Sequence, residues 1–425
     1  MRPSLACPPF ARYTEFAGEH AVARIAAKAA RLAGLRVINV SSTFYGGGVA
    51  EILSSLTLVQ RDLGLRADWR LVQGSPDFFS VTKKLHNALQ GAPIDLTDLK
   101  KAIYEETNAQ NALRMDLDAD LVVVHDPQPL PLIERYRRTC PWVWHCHVDL
   151  TRPDPACWAY LRRFVDQYDA VVVSLPEYAQ ELDVPQVAFM PAIDPFSVKN
   201  RELSPAEIRE RLAHYGIPDD LPIVAQVSRF DRWKDPQGVI VAFRRACEDV
   251  DATLVLLGNV ATDDPEGQEV FESLLDSRDE RILVLTAEDS ALVNALQRRA
   301  AVVLQKSLRE GFGLTVAEAM WKGAAVIGGD CGGIRHQIED GTNGFRVRSV
   351  EEAARRIGEL VADADLRARL GAAARESVRA RFLMSRLVEQ ELDLYAALQP
   401  RFVLHADPAV PELRRPPASG PGART

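Results

Sequence analysis

RVINVSSTFYGGGVAEILSSLTLVQRDL, at residues 36–63, contains a strand, a glycine turn and a helix in that order. Residues 36–41 form a β-branched, apolar run, which predicts a buried strand. Three glycines follow at 46–48, and from Val49 to Leu63 the apolar residues recur at helical spacing. This order is typical of strand–helix–strand units, so the segment predicts an α/β protein.

The same alternation continues in both directions along the chain. Further strands are predicted at 121–124, 142–144 and 170–173, and a second series at 223–227, 253–257, 281–285, 301–304 and 324–327. Helical stretches separate the runs of each series, as in parallel, doubly wound sheets. We therefore expect an α/β fold with two Rossmann-like domains.

Two prolines interrupt the pattern in Met190–Pro195 and mark the expected boundary. We predict an N-terminal domain at 1–195 and a C-terminal domain at 196–385. A helix within 386–405 is expected to pack back on the N-terminal domain, and the Pro- and Gly-rich residues 406–425 to form a disordered tail. Ligands of open α/β sheets bind beyond the carboxyl ends of the strands, so we expect the domains to face each other across a cleft.

Composition excludes several classes of protein. With 47% hydrophobic and 26% charged residues the chain is typical of soluble globular proteins, and its net charge of −8 argues against a broad nucleic-acid surface. No apolar run reaches the ~20 residues of a membrane span, and the N-terminus lacks a signal-peptide core. The six cysteines include no C-x-x-C pair, so we expect reduced thiols and a cytoplasmic protein.

Two carboxylates flank a glycine turn in REGFGLTVAE, at residues 309–318. Glu310 would lie before the turn and Glu318 inside the following helix. Backbone N–H groups at such a turn can approach a phosphate, so two carboxylates here can serve one phosphorylated ligand. The alternative is a capping box between Thr315 and Glu318, which needs no ligand.

Two cations follow the predicted strand 223–227. Arg229 and Lys234 lie in the loop at its carboxyl end, where a guanidinium and an ammonium could together bind a pyrophosphate. The alternative is a solvated loop in which Asp231 and Asp235 neutralise both cations. The position of the loop favours the phosphate site.

The glycines Gly46, Gly47 and Gly48 open the first predicted helix. Their N–H groups could contact a phosphate, although such a turn can also serve only close packing. His147 and Asp149 end another strand and could point to one side, where they would suit sugar hydroxyls. A buried structural histidine is the alternative for His147. His145, Cys146 and His147 would need a distant partner to bind a metal, and we predict no metal site.

One more polar stripe lies on a predicted helix near residue 85. It consists of Lys83, His86, Asn87 and Gln90, spaced i, i+3, i+4 and i+7. Such a stripe can bind several hydroxyls of a sugar acceptor, or it can be an ordinary exposed face.

Together these motifs resemble retaining glycosyltransferases of family 4, which have the two-domain GT-B fold. The resemblance covers roughly residues 35–395 and includes the Glu-x7-Glu spacing and the Arg229/Lys234 pair. The segments 44–53, 79–83, 86–91 and 310–322 are similar to trehalose glycosyltransferring synthases and the related retaining trehalose phosphorylases.

The resemblance implies a role for each matching residue. Arg229 and Lys234 would grip the diphosphate, and His147 would contact the transferred glucose from the opposite domain. Glu318 would bind the ribose and Glu310 would lie near the donor sugar. The remaining donor contacts would come from Gly311, Phe312, Gly313, Gly46, Gly47 and Gly48. The sugar or acceptor contacts would come from Asp149, Lys83, His86, Asn87 and Gln90.

The implied reaction joins glucose from a nucleoside diphosphate glucose (UDP-glucose or ADP-glucose, for example) to free glucose. The product would be α,α-trehalose, and the reaction would be reversible. A trehalose phosphorylase using phosphate and glucose 1-phosphate remains an alternative, as does a non-catalytic nucleotide-sugar sensor.

The expected partners are small molecules: nucleoside diphosphate glucose, glucose and trehalose, without nucleic acid or membrane. No tightly bound cofactor is expected, although Mg²⁺ is compatible with the diphosphate as its counter-ion. The sequence leaves the nucleotide base, the physiological direction and the oligomeric state open, a homodimer included.

Overall fold

A computed structural model describes residues 9–44, 47–258 and 265–399. The chain forms two compact units. One contains Met1–Met190 together with Ser385–Thr425, and the other contains Pro191–Met384. We call them the N-terminal and the C-terminal unit. The predicted tail at 406–425 lies outside the described residues. Within them, no helix combines the length and apolar character needed to cross a membrane.

The N-terminal unit is built on a six-stranded sheet in the order β2-β1-β3-β4-β5-β6, and every neighbouring pair is parallel. The strands are β1 Arg36–Ser41, β2 Arg66–Leu71, β3 Leu121–His125, β4 Trp142–Cys146, β5 Ala170–Val173 and β6 Gln186–Ala188. The chain reverses its direction of progress across the sheet at β1/β3, which is the topological switch point where such sheets bind ligands.

Helices cover this sheet and bury its apolar strands. They are α1 Thr14–Ala17, α2 Glu19–Arg31, α3 Gly48–Asp62, α4 Pro76–Leu89, α5 Asp98–Ala112 and α6 Pro155–Val165, with 3-10 turns at Phe10–Tyr13, Leu130–Glu134 and Pro176–Tyr178. A final helix from the end of the chain, given below as α15, completes the unit. The core contains aromatic side chains such as Phe78, Tyr104 and Trp144, each at most marginally exposed.

The C-terminal unit has a second parallel sheet, in the order β12-β11-β10-β7-β8-β9. Its strands are β7 Ile223–Val227, β8 Thr253–Gly258, β9 Ile282–Thr286, β10 Val302–Gln305, β11 Val326–Gly329 and β12 Phe345–Val347. The switch point lies between β7 and β10, so the loops that leave these two strands meet at one edge.

The helices of this unit begin at α7 and alternate with the strands. They are α7 Pro205–His214, α8 Pro236–Ala246, α9 Pro265–Leu275, α10 Ser290–Arg299, α11 Leu314–Trp321, α12 Ile334–Gln337, α13 Val350–Ala362 and α14 Ala364–Arg381, with a 3-10 turn at Arg232–Lys234. The last helix, α15, spans Met384–Leu398. The predicted fold class, with two doubly wound parallel sheets, is confirmed.

Several of these helices start where the sequence supplies both a cap and a proline. Ser204 caps α7 and forms a capping box with Glu207, and Pro205 is the first helical residue. Asp235 caps α8 in the same way ahead of Pro236, although its own φ is 50°. A proline at the first position loses no intrahelical hydrogen bond. These starts fix the length of the loops that carry the polar residues described next.

Helix α15 is tied to the N-terminal unit by ion pairs. Arg24 and Lys28, on α2, pair with Glu389 at 2.6 and 2.9 Å, and Lys28 also reaches Asp393 at 2.8 Å. Gln60 donates to the hydroxyl of Tyr395 inside the unit. Helix α15 is therefore an integral part of the N-terminal unit.

Candidate active site

An ion pair between Lys234 and Glu310 occupies the switch point of the C-terminal unit. Lys234 ends the turn after β7, and Glu310 follows β10. Their side chains are mostly buried and lie 2.5 Å apart, Nζ to Oε2. The hydroxyl of Ser307 donates to the same oxygen at 3.2 Å. The backbone N–H of Leu308 donates to the carbonyl of Trp233, which holds the two loops together.

The neighbouring charges are paired differently from the predicted alternative. Arg229 contacts Asp231 at 3.3 Å, as that alternative supposed, but Arg229 remains substantially exposed. Asp235 pairs with Lys306, which follows β10, whereas Lys234 pairs with Glu310. The expectation that Asp235 neutralises Lys234 is therefore wrong, because β10 supplies a second lysine to Asp235.

The loop Gly311–Gly313 is held in place by close backbone packing. Gln337 donates from its amide to the carbonyl of Phe312 at 2.6 Å, and the N–H of Gly333 points at the carbonyl of Gly311 at 3.2 Å. A Cβ at Gly333 would lie only 2.3 Å from the Cα of Phe312. Gly313 has φ 85° and precedes α11, a conformation that favours glycine. The loop thus presents a defined backbone at the start of α11.

Glu318 lies inside helix α11 and is almost fully buried. Its Oε1 lies 3.2 Å from Nζ of Lys199. The capping box proposed as an alternative is wrong: α11 starts at Leu314 after the left-handed Gly313, no side chain caps it, and Thr315 is its second residue. Glu318 is therefore too deep in the helix to cap it, and its buried charge is stabilised by Lys199 instead.

The glycine loop of the N-terminal unit is only partly described. Gly46 lies outside the described residues. Gly47 has φ 112° and precedes α3, and Gly48 is the first residue of that helix. Both are exposed, and no side chain caps the helix start. The open end of α3 retains N–H groups that can meet an anion.

His147 lies directly after β4 and contacts His125 at the end of β3. Its Nε2 is 3.0 Å from Nδ1 of His125, whose Nε2 is 3.0 Å from Oδ1 of Asn39. The backbone N–H of His147 donates to Asp126 at 2.8 Å. Burial lowers the pKa of His147 to about 3 and that of His125 well below its ordinary value, so both rings are neutral.

Burial also changes two carboxyl groups near these histidines. It raises the pKa of Asp126 to about 7, against the lowering effect of its hydrogen bond from His147. It raises the pKa of Glu391, on α15, to about 7 as well. Glu391 lies 3.7 Å from Nδ1 of His145. Asp126 has φ 62°, a strained conformation that is frequent at functional sites.

His125, His145 and His147 bring three ring nitrogens within 4.8 Å of one another. His125 is the distant partner that the sequence did not identify. A zinc ion would need nitrogen lone pairs that converge about 2.0–2.1 Å from it. The rings are instead nearly parallel, with interplanar angles of 18–33°, and His145 stacks on His147. Nδ1 of His125 and Nε2 of His147 lie 3.0 Å apart and face each other, which fits a hydrogen bond between these two rings better than convergence of three lone pairs on one ion.

Asp149 and the helical stripe lie in the same unit. Asp149 is half-buried and accepts from the N–H of Thr151 at 2.8 Å. Lys83, His86 and Asn87 are half-buried on α4, and Gln90 directly follows that helix. The opposite side of α4, with Val81, Leu85 and Ala88, packs into the core.

Sequence reasoning missed several polar residues that the structure places beside these groups. They are Asn39, His125, Asp126, Lys199, Lys306 and Ser307. His125 and Asp126 directly follow the apolar strand β3, so the strand-end argument used for His147 applies to them equally. Lys199 has no comparable signal, because it lies in an irregular segment far from Glu318 in sequence.

Comparison with known proteins gives matches over both units. Residues 39–180 match a family model described as the N-terminal domain of trehalose synthase, and residues 207–377 match glycosyl transferases group 1. A trehalose synthase of Pyrococcus horikoshii is 44% identical over 396 residues, which cover 91% of this chain and 95% of the relative.

More distant matches agree in kind. A trehalose phosphorylase of Grifola frondosa is 28% identical over 77% of this chain and 52% of its own length. Among solved structures, a sucrose-phosphate synthase of Thermosynechococcus elongatus superposes with a TM-score of 0.67 at 19% identity, over 86% of this chain and 99% of its own. This last likeness concerns the fold.

Proposed function

Because the chain belongs to the trehalose synthase family of glycosyltransferases, we propose that it transfers glucose from a nucleoside diphosphate glucose to the anomeric hydroxyl of free glucose. The product is α,α-trehalose, with configuration retained at the donor carbon. The observation that carries the proposal is the Lys234–Glu310 pair beside the Gly311–Gly313 loop, at the switch point of the C-terminal unit.

The cations serve the leaving group in this proposal. As the bond between the anomeric carbon and the phosphate oxygen breaks, negative charge builds on the diphosphate. Arg229 and Lys234 stabilise that charge, and they are positioned before the reaction starts. The backbone of Gly311–Gly313 and the open start of α11 face the phosphate and the sugar hydroxyls.

The acceptor hydroxyl attacks the same face of the donor sugar. Its oxygen forms the new bond to the anomeric carbon, and its proton passes to the departing phosphate oxygen. No carboxylate nucleophile at ~5 Å is needed, unlike in retaining glycosidases. Glu318 binds the ribose hydroxyls. His147, Asp149 and the stripe Lys83, His86, Asn87 and Gln90 are assigned to sugar hydroxyls.

Magnesium enters this scheme only with the substrate. The carboxylates near Arg229 and Lys234 are already paired with cations. Asp231 pairs with Arg229, Asp235 with Lys306 and Glu310 with Lys234. A divalent ion at the diphosphate therefore acts as its counter-ion. The described cysteines form no disulfide with one another, and we propose a reducing, cytoplasmic setting.

The test is product analysis with defined donors. The purified chain is incubated with glucose and UDP-, ADP- or GDP-glucose, and in parallel with glucose and glucose 1-phosphate. Trehalose from at least one nucleotide donor, with release of the nucleoside diphosphate, supports the proposal. If trehalose and phosphate form with glucose 1-phosphate and glucose, and no nucleotide donor gives trehalose, the protein is a phosphorylase instead. Tight nucleotide-sugar binding without any product would establish the sensor.

A further inference from the structure

Three polar side chains form a continuous chain of hydrogen bonds that leads from the middle of β1 to the carboxyl ends of β3 and β4. Asn39 contacts His125, and His125 contacts His147, with both distances 3.0 Å. Asn39 and His125 are almost fully buried, whereas His147 is half-buried. The chain therefore runs from the interior of the sheet to His147, one of the side chains that we assign to sugar hydroxyls.

The direction of each hydrogen bond follows from Asn39. Its amide nitrogen donates to the carbonyl of Asp68 at 3.5 Å, which turns its oxygen toward His125. That oxygen only accepts, so Nε2 of His125 carries the proton. Because burial keeps His125 neutral, its Nδ1 is a bare acceptor.

The same reasoning reaches His147. A bare Nδ1 on His125 requires a donor, so Nε2 of His147 carries the proton and its Nδ1 is deprotonated. That Nδ1 is buried and has no hydrogen-bond partner among the described residues. A buried acceptor in this position needs a donor from elsewhere, and a sugar hydroxyl is one.

We infer that Asn39 and His125 are positioning residues that hold His147 in its Nε2–H tautomer, with Nδ1 reserved as an acceptor for a sugar hydroxyl. This inference rests on the proposed function for the identity of the ligand, but the tautomer itself does not. The backbone of His147 is fixed independently by Asp126. The hydrogen-bonded chain Asn39–His125–His147, called the relay below, therefore controls which ring nitrogen of His147 carries the proton and how the ring is oriented.

The tautomer is measured directly by long-range ¹H–¹⁵N correlation on protein labelled at its histidines. The His147 signals are assigned by their loss in His147→Gln. We expect a protonated Nε2 and a bare Nδ1 in the wild type. A protonated Nδ1, a doubly protonated ring, or a stoichiometric metal ion in the purified protein would overturn the inference.

A change at Asn39 tests the direction of the relay. A carboxylate in Asn39→Asp favours a doubly protonated His125, which then donates from Nδ1 and forces the proton of His147 onto its own Nδ1. We expect the His147 signals to switch tautomer. An unchanged tautomer in folded Asn39→Asp protein would contradict the relay.

Activity is the second readout. His125→Gln keeps an acceptor oxygen for His147, whereas His125→Leu removes it. We expect His125→Leu to lower kcat/KM for the sugar substrates by about a hundredfold, as misplacement of a contact group does, and His125→Gln to recover a large part of that loss. His20→Leu, an exposed change on α2, is the matched control.

Equal losses in the two His125 variants, with the fold intact, would leave no role for the acceptor and contradict the inference. A chain that makes no trehalose but shows the expected tautomers would refute the proposed function and leave the relay standing. The two failures are therefore distinguishable.

Discussion

Lys234 and Glu310, which are 76 residues apart in sequence, form a mostly buried ion pair with 2.5 Å between Nζ and Oε2. The pair links the loops after β7 and β10 at the switch point of one sheet. A cation held in this way is oriented before a diphosphate arrives. In the proposed reaction the carboxylate of Glu310 must then share or release this cation, which would couple Glu310 to the binding of the donor.

Lys234→Met should lower kcat by at least about a hundredfold, because it removes one of the fixed positive charges that stabilise the leaving diphosphate. KM for glucose should change much less. Steady-state kinetics with both substrates measure the difference, and Arg232→Met, an exposed neighbour, is the control.

Loss of Lys234 also leaves the charge of Glu310 buried without its partner, so stability must be followed separately. The double variant Lys234→Met/Glu310→Gln should regain the melting temperature but not the activity. Full turnover in either variant would show that the cation does not act on the leaving group.

Glu318→Gln should weaken binding of the nucleoside diphosphate by about 10- to 100-fold, the usual effect of losing a charged hydrogen-bond partner. Calorimetric titration with each diphosphate measures this. Lys199→Met is the companion variant, because it removes the group that now faces Glu318. Wild-type affinity of Glu318→Gln for every nucleotide would exclude Glu318 from the ribose site.

Glu391→Gln and Glu389→Gln, two positions apart on α15, should have opposite effects on stability. Burial raises the pKa of Glu391 to about 7, so the folded state disfavours its charged form, and this penalty grows as the pH rises from about 4.5 to 7. Glu391→Gln should therefore stabilise the protein above pH 7, by on the order of 3 kcal/mol. Its advantage should vanish near pH 4.

Glu389 behaves in the opposite way, because the hydrogen bond from Arg24 lowers its pKa. Its contribution to stability is present above the ordinary glutamate pKa of 4.5 and is lost as the pH falls through the lowered value. Glu389→Gln should thus destabilise at pH 7 and not in acid. Thermal melting from about pH 2 to 8 measures both, and parallel curves for the two variants would contradict the assignment.

Gly333→Ala should abolish activity, because its new Cβ would meet backbone atoms of Phe312 and Gly311 at 2.3–2.9 Å and displace the loop Gly311–Gly313. Backbone cannot rotate away as a side chain can. Gly358→Ala is the matched control: its Cβ meets nothing within 4 Å, and alanine favours helix α13 by about 0.5–1 kcal/mol. An active Gly333→Ala enzyme would mean that the loop tolerates a shift.

The sequence predicted the interior strands well and the edge strands poorly. All the predicted runs became strands, within a residue or two. The strands that it missed are β2, β6 and β12, and each lies at the edge of a sheet. Edge strands need not be apolar on both faces: β2 reads RADWRL and is largely half-exposed. The apolar pattern used for prediction is therefore absent there.

The candidate site was predictable where chemistry follows a strand directly. Lys234 and His147 were predicted from the ends of strands, and Glu310 from the glycine turn that follows it. The partners that hold them were not, because Lys199, Ser307 and Asn39 reach them through the fold rather than through sequence spacing. Asn39 lies in the middle of an apolar strand, so the sequence pattern does not mark it as a functional residue. Spacing therefore identifies polar groups at strand ends and glycine turns more readily than the partners that hold them.

The N-terminal unit is assembled from two distant stretches of the chain, and the C-terminal unit from one continuous stretch between them. During synthesis the ribosome therefore releases every residue of the C-terminal unit before α15 emerges. Until then Arg24 and Lys28 lack their carboxylates, and the buried Gln60 lacks the hydroxyl of Tyr395. Of the two units, the one whose translation begins first is thus the one that completes its structure last.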